Sequence, residues 1–307
     1  MRILVAGSTG TLASALVAAL EERGDEVVRV VRPQTEGASG ILWDPRAGDL
    51  PSPAVSGFDA VVNLAGRSIG EKRLSSREKA ALWESRVGYT GSIARAIAGA
   101  DDPPKVLINA SAIGYYGDRG DDRVDELAPV GEGFLPELTA AWEGATKPAA
   151  DAGTRVVLLR TAIVLSAQGG ALGRLLAPFG PRWLSPYRWG IAGPVGRGKQ
   201  YWSWVSLDDH VRATVHLLTK STMSGPVNVS SPEPVTNKEF IRALGRALGR
   251  PTVIPIPPFV VKAVLGSELA RALVVEGQRV MPDRLHADGF VFEDTDLEEA
   301  LREALAR

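Results

Sequence analysis

The chain has 307 residues, with 35 Lys plus Arg against 36 Asp plus Glu, so no whole-molecule field favours DNA, RNA or an anionic membrane. It has no cysteine and three histidines (His210, His216 and His286), which excludes disulfides, thiolate chemistry and most zinc or iron ligand sets. The length suffices for a full core plus an appended lobe, and a small, locally recognised ligand suits this balanced composition.

Met1-Arg2-Ile3-Leu4-Val5-Ala6-Gly7 enters a strand pattern at once, without the apolar stretch and cleavage site of a secretion signal. No apolar run approaches the roughly 20 residues that span a bilayer, so a cytoplasmic location and no membrane partner are the default expectations. Residues 2–6 and 27–31 are short, β-branched runs that read as strands, and 11–23 between them carries apolar residues at helical spacing. Further strands are expected at 59–64, 105–110 and 155–160, with helices at about 76–98 and 136–152. Near-continuous apolar strands alternating with helices predict an α/β fold, a Rossmann-type doubly wound parallel sheet covered on both faces.

After about residue 166 the texture changes. Gly and Pro become dense, and 178–202 gathers Phe179, Trp183, Tyr187, Trp189, Tyr201 and Trp202 into an irregular, aromatic-lined excursion. A helix at about 207–219, a strand at 226–230 and a helix at about 236–249 restore regular structure. Pro251, Pro255, Pro257 and Pro258 predict an extended 251–258, and Asp296 reads as the N-cap of a last helix. The expected division is a Rossmann domain over 1–166, completed by about 205–230, with a smaller substrate-covering C-terminal region made of 167–204 and 231–307.

The strongest chemical signal is Gly7-Ser8-Thr9-Gly10-Thr11-Leu12-Ala13, directly after the first strand and at the start of the first helix. Gly7 permits the tight turn, Gly10 lets the backbone approach a pyrophosphate, and Ala13 allows close helix packing. Thr9, Gly10, Thr11 and Leu12 then stand at a helix N-terminus whose free N–H groups and dipole favour negative charge. An NAD site usually places Asp or Glu at the end of the second strand, but no acid lies between Val27 and Pro33. Arg32 ends the strand, with Arg29 nearby, and a guanidinium there suits the 2′-phosphate of NADP(H). The competing reading of Arg32 is a solvated surface arginine.

These residues resemble the short-chain dehydrogenases, and more narrowly the atypical NAD-dependent epimerase/dehydratase-like family that carries its own C-terminal domain of unknown function. Asn63-Leu64-Ala65-Gly66 looks like the segment that lines the adenine ribose, and Asn109 through Asp118 like the active-site end of the fifth strand in extended members. Trp204-Val205-Ser206-Leu207-Asp208-Asp209 and Gly225-Pro226-Val227-Asn228-Val229 resemble later family segments. The narrower match rests on Lys72-Arg73, Ser85-Arg86 with Thr90, Gly114-Tyr115-Tyr116-Gly117, Leu159-Arg160-Thr161, Gly196-x-Gly198-x-Gln200 and Gln278-Arg279-Val280-x-Pro282. The resemblance implies that Leu64, Ala65, Gly66, Arg86, Ala110 and Thr161 also contact the cofactor, and that the protein forms a homodimer through the helices at about 76–98 and 136–152. Leu74 departs from the family's usual aromatic, and Pro181 to Arg188 looks like an insertion.

Short-chain dehydrogenases usually pair a Tyr with a Lys four residues on, because the ammonium lowers the phenol pKa and holds the nicotinamide ribose. The residues four after Tyr89, Tyr115, Tyr116, Tyr187 and Tyr201 are Ile93, Arg119, Gly120, Ile191 and Val205, so the pair does not occur; by resemblance, Leu138 and Trp142 stand at its two positions. A positioned acid or base contributes about 100- to 10,000-fold in rate, so its loss needs a substitute. Ser111 and Tyr115 are the catalytic candidates, although aromatic pairs at a strand end also pack without reacting. Lys72 and Arg73 read either as a clamp for a substrate carboxylate or phosphate or as a solvated helix start. Tyr116, Gln200 and Trp204 are candidate substrate contacts, with core filling the alternative for the tryptophans. Asp208-Asp209 reads as a helix cap and charge feature, with no metal.

Two functions follow: an NADP(H)-dependent oxidoreductase or epimerase-like enzyme acting on a small carbonyl or sugar-derived compound, or a non-catalytic NADP(H)-binding sensor or partner-binding module.

Overall fold

The computed structural model describes residues 1–33, 39–177 and 185–307. Phe179 and Trp183 of the expected aromatic excursion, and Pro181–Leu184 of the expected insertion, lie outside the described residues.

The chain opens with β1 (Arg2–Ala6), α1 (Thr11–Glu22), β2 (Glu26–Val31), β3 (Ile41–Leu42) and β4 (Ala60–Asn63). There follow α2 (Ser76–Trp83), α3 (Tyr89–Ala98), β5 (Val106–Ala112), β6 (Arg123–Val124), α4 (Phe134–Gly144), α5 (Lys147–Asp151), β7 (Arg155–Thr161), β8 (Ile163–Leu165) and α6 (Gly170–Leu176). The later elements are β9 (Tyr201–Trp202), β10 (Trp204–Ser206), α7 (Leu207–Thr219), β11 (Gly225–Val229), β12 (Val235–Thr236) and α8 (Asn237–Leu248). The chain closes with α9 (Pro258–Leu265), α10 (Ser267–Ala270), β13 (Arg279–Val280), α11 (Asp283–Ala287) and α12 (Leu297–Ala306).

Among the described residues, seven parallel strands form one sheet in the order β3-β2-β1-β4-β5-β7-β11. β1 is flanked by β2 on one side and β4 on the other, so the winding reverses there and a crevice opens beyond the carboxyl ends of β1 and β4. One face of the sheet packs Ile3, Val5 and Ile108 against Leu16 and Leu20 of α1 and Leu217 of α7. The other packs Leu4, Val61 and Leu107 against Ile93 and Ile97 of α3. Burial on both faces is why these strands read as near-continuous apolar runs. A third core in the C-terminal half joins Trp202 and Trp204 to Phe240 and Leu244 of α8 and Leu301 of α12.

Two expected elements change. The helix expected over 136–152 begins at Phe134, because Pro136 falls in the first turn where an N–H has no intrahelical partner, and it breaks after Gly144. Pro148 cannot donate to the preceding turn, and Thr146 turns its hydroxyl onto the Glu143 carbonyl at 2.7 Å. The extended segment expected over 251–258 stops one residue short, since Pro258 is the first residue of α9, a position that suits proline. Between α2 and α3, Glu84–Gly88 form a π-helical turn.

Candidate functional site

A cleft of about 570 Å³ lies at the carboxyl ends of β1, β2 and β4. Gly7, Thr9, Gly10, Arg32, Leu64, Ala65 and Gly66 all line it. Gly7 has φ +80°, and a Cβ there would stand 2.5 Å from the Ala65 nitrogen, so both conformation and packing demand glycine. Gly10 is the N-cap of α1; no side chain caps the helix and no acid sits in its first turn. The amides of that turn, which includes Thr11 and Leu12, are therefore available to an anion.

Arg32 is exposed at the rim of the cleft, and among the described residues it forms no ion pair. Arg46, which follows β3, lines the same cleft, as do Trp43 and Arg67. Sequence reading missed Trp43 and Arg46 because the β3 they follow has only two residues, too short for a periodic signal, and Arg67 because it stands alone in the segment after β4.

Arg86 comes from the π-helical turn and is 8% exposed. Its guanidinium approaches Gly66 and the Trp142 ring, 5.1 Å from the ring centroid, and it donates to Ser85 Oγ at 3.5 Å. Burial pulls its pKa down to about 10. Beside it, Asn63 Nδ2 donates to Thr90 Oγ1 (2.9 Å) and Asn109 Oδ1 (2.7 Å), and Trp142 Nε1 donates to Thr90 Oγ1 (2.8 Å). These bonds tie the end of β4 and the middle of β5 to α3 and α4, so the residue at the resemblance's lysine position, Trp142, acts as a structural donor. Ala110 is half-buried on β5, and Thr161 at the end of β7 lies 2.9 Å from His210 Nε2 through its Oγ1.

The catalytic candidates meet a carboxylate that the sequence did not suggest. Ser111 and Arg160 are paired in register on β5 and β7. Ser111 Oγ donates to Glu143 Oε1 at 2.6 Å, and Arg160 grips both oxygens of Glu143 at 2.8 Å. Although burial opposes its charge, Glu143 and Tyr116 hold the Arg160 guanidinium protonated well above its usual range. The advance signals were the Leu159-Arg160-Thr161 match and an arginine directly after the apolar run Val156–Leu159, which a buried strand tolerates when a partner is supplied.

Tyr115 stacks on this ion pair, its ring centroid 3.5 Å from Arg160 Cζ, and its hydroxyl makes no hydrogen bond among the described residues. Tyr116 departs from the expected substrate contact. It is fully buried, donates to Asn228 Oδ1 at 2.6 Å, accepts from Arg160 Nη1 at 3.1 Å, and burial pushes its phenol up to about 12. Trp204 also departs, being fully buried in the third core with its indole N–H on the Glu233 carbonyl at 2.9 Å. Gln200 is half-buried and donates to the Val274 carbonyl at 2.9 Å. Lys72 is exposed, whereas Arg73 donates to the Ala263 and Val264 carbonyls at the end of α9, which joins the segment after β4 to the C-terminal region. The cap expected of Asp208-Asp209 is supplied by Ser206, whose hydroxyl accepts from the Asp209 N–H.

A glycine turn, an uncapped helix N-terminus and a cleft at the reversal point of a parallel sheet define a Rossmann-type nucleotide-binding fold. The model of the NAD dependent epimerase/dehydratase family matches residues 3–230, and that of a domain of unknown function, DUF1731, matches 256–304. The chain belongs to the NAD dependent epimerase/dehydratase family. It is 42% identical over 305 residues to an epimerase family protein of Mycobacterium leprae, covering 99% of this chain and 96% of the relative. It superposes on the crystal structure of human epimerase family protein SDR39U1 (isoform 2) with NADPH at a TM-score of 0.88, with 35% identity and all of both chains covered. A nucleoside-diphosphate sugar epimerase from Corynebacterium glutamicum matches at 31% identity and a TM-score of 0.79, over 99% of this chain and 58% of that one. Among the described residues, no helix is long and apolar enough to cross a membrane.

Proposed function

We propose that the protein binds NADP(H) in this cleft and transfers hydride between the nicotinamide and a small carbonyl or sugar-derived compound. The observation that carries the reading is the Gly7–Gly10 turn opening an uncapped α1, with Arg32 at the end of β2 in the same cleft. The NADPH in the human relative's structure supports it. The residues fit the group: α1 amides for the diphosphate, Arg32 and Arg46 for the 2′-phosphate, and Leu64–Gly66 for the adenosine side.

NADP(H), when bound, supplies the hydride donor or acceptor. The chain's own part is proton handling and orientation. With its proton directed to Glu143, the Ser111 hydroxyl presents lone pairs that accept a hydrogen bond from a substrate hydroxyl, and the Arg160 clamp fixes Glu143 in place as the acceptor of the Ser111 hydrogen bond. Tyr115, half-buried above Arg160, offers a phenol to the same substrate.

Trp142 at the resemblance's lysine position favours a second reading, a non-catalytic NADP(H)-binding sensor. Incubation with NADPH and a broad carbonyl panel, followed at the nicotinamide absorbance, separates the two. Saturable, substrate-dependent oxidation that falls in Ser111→Ala supports the enzyme; NADPH binding without turnover of any compound supports the sensor.

A further inference from the structure

Every residue of α9 except Lys262 is apolar, yet the helix buries none of them. A helix of this composition ordinarily turns a face to a core. The segments beside it share the anomaly. Val195 and Ile256 form a parallel bridge, the Gly196 N–H donates to the Ile256 carbonyl at 2.9 Å, and the Ile256 N–H donates to the Pro194 carbonyl at 2.8 Å. A Cβ on Gly190 would stand 3.0 Å from the Pro251 ring. Residues 190–196 are thus fixed along 251–256, which leads directly into α9. Along this strip Trp189, Ile191, Val253, Ile254 and Phe259 are more than half exposed, Val253 at 76% and Phe259 at 71%.

The cations of the strip are unanswered. Arg188, Arg197, Lys199, Arg250 and Lys262 are exposed, and among the described residues none forms an ion pair. In the sequence no acid occurs between Asp151 and Asp208 or between Glu239 and Glu268. The balanced charge of the whole chain, which gives no reason to expect a membrane partner, averages over this local excess. A second copy of the chain is a poor cover, because a two-fold contact would set these cations against themselves. An anionic lipid surface answers both features: its phosphates meet the cations, while Trp, Phe and branched aliphatic side chains enter the headgroup boundary.

We propose that the strip formed by residues 188–199, 250–256 and α9 docks the protein peripherally on an anionic phospholipid membrane.

Cosedimentation with vesicles tests this, using phosphatidylcholine alone and an equimolar mixture of phosphatidylcholine and phosphatidylglycerol. Wild type should bind the mixture, come off as salt is added, and leave phosphatidylcholine alone largely unbound. Arg250→Gln should weaken binding about fivefold and Phe259→Ser roughly tenfold, the scale of one lost surface charge and one lost buried ring. Both positions are exposed, so both variants should melt with the wild type. No binding to the mixture, equal binding to the two vesicles, wild-type binding by either variant, or a variant that melts well below wild type overturns the proposal. A dimer in light scattering that Phe259→Ser dissociates also overturns it and assigns the face to a second copy.

Discussion

Ser111 and Arg160, side by side on β5 and β7, converge on one carboxylate, that of Glu143 on α4. Side-chain exposure is 4% for Arg160 and 10% for Glu143, so their pairing is little screened by solvent. Removing one partner strands the other. Glu143→Ala should cost about 3–5 kcal/mol of stability, while Ser111→Ala, which leaves the ion pair intact, should cost about 1 kcal/mol. Chemical denaturation of both variants checks this, and equal losses would contradict it.

Arg32 tests the choice of nucleotide. Arg32→Asp should weaken NADPH binding by roughly 10- to 100-fold through loss of charge-assisted contacts to the 2′-phosphate, and leave NADH affinity unchanged or improved. Titration calorimetry with both nucleotides decides it; parallel losses would place Arg32 outside the 2′-phosphate site.

Gly7 and Gly10 should respond differently to the same substitution. At Gly7, with φ +80° and a Cβ 2.5 Å from the Ala65 nitrogen, alanine should cost at least about 1–3 kcal/mol and disturb the turn. At Gly10 the nearest atom to a Cβ is the Gly7 carbonyl oxygen at 4.0 Å, so Gly10→Ala should fold normally, and any loss of nucleotide affinity there reports contact with ligand. Melting curves and nucleotide titrations of the two variants provide the comparison.

His210 sets a pH dependence. Burial lowers its pKa from 6.5 to about 4, so between those values the unfolded chain binds a proton that the folded chain refuses. This contribution to stability is complete above pH 6.5 and is lost as pH falls toward 4, with a slope of up to ~1.4 kcal/mol per pH unit. The stability difference between wild type and His210→Gln should shrink across this window on acidification. A difference independent of pH would show that the imidazole is not held neutral.

Local features were legible in the sequence. The Gly7–Ala13 turn and Arg32 are read within a few residues of their strands, and the parallel strands announce themselves because burial on both faces leaves no polar alternation. The Ser111–Glu143–Arg160 cluster was not legible. Ser111 and Glu143 are 32 residues apart, and Glu143 and Arg160 are 17 apart, so only the β5–β7 register and the packing of α4 bring them together. Tyr116 and Trp204 misled for a related reason: an aromatic residue beside a glycine turn looks the same in sequence whether its polar atom meets a ligand or, as here, Asn228 and the Glu233 carbonyl. α9 escaped notice because four nearby prolines mask a helix that begins on the last of them.

The wide turn at Glu84–Gly88 makes this part of the chain sensitive to length. Each residue of an α-helix rotates the next side chain by about 100°, so one surplus residue resets the phase between two helical halves. Here the reset leaves Trp83 at the surface while Ser85, Arg86 and Thr90 all turn inward. Deleting Val87 or Gly88 would heal the helix into a uniform spiral and swing everything ahead of it by that angle, carrying Arg86 away from Gly66. Single-residue gaps, harmless in most surface loops, are therefore excluded from this stretch.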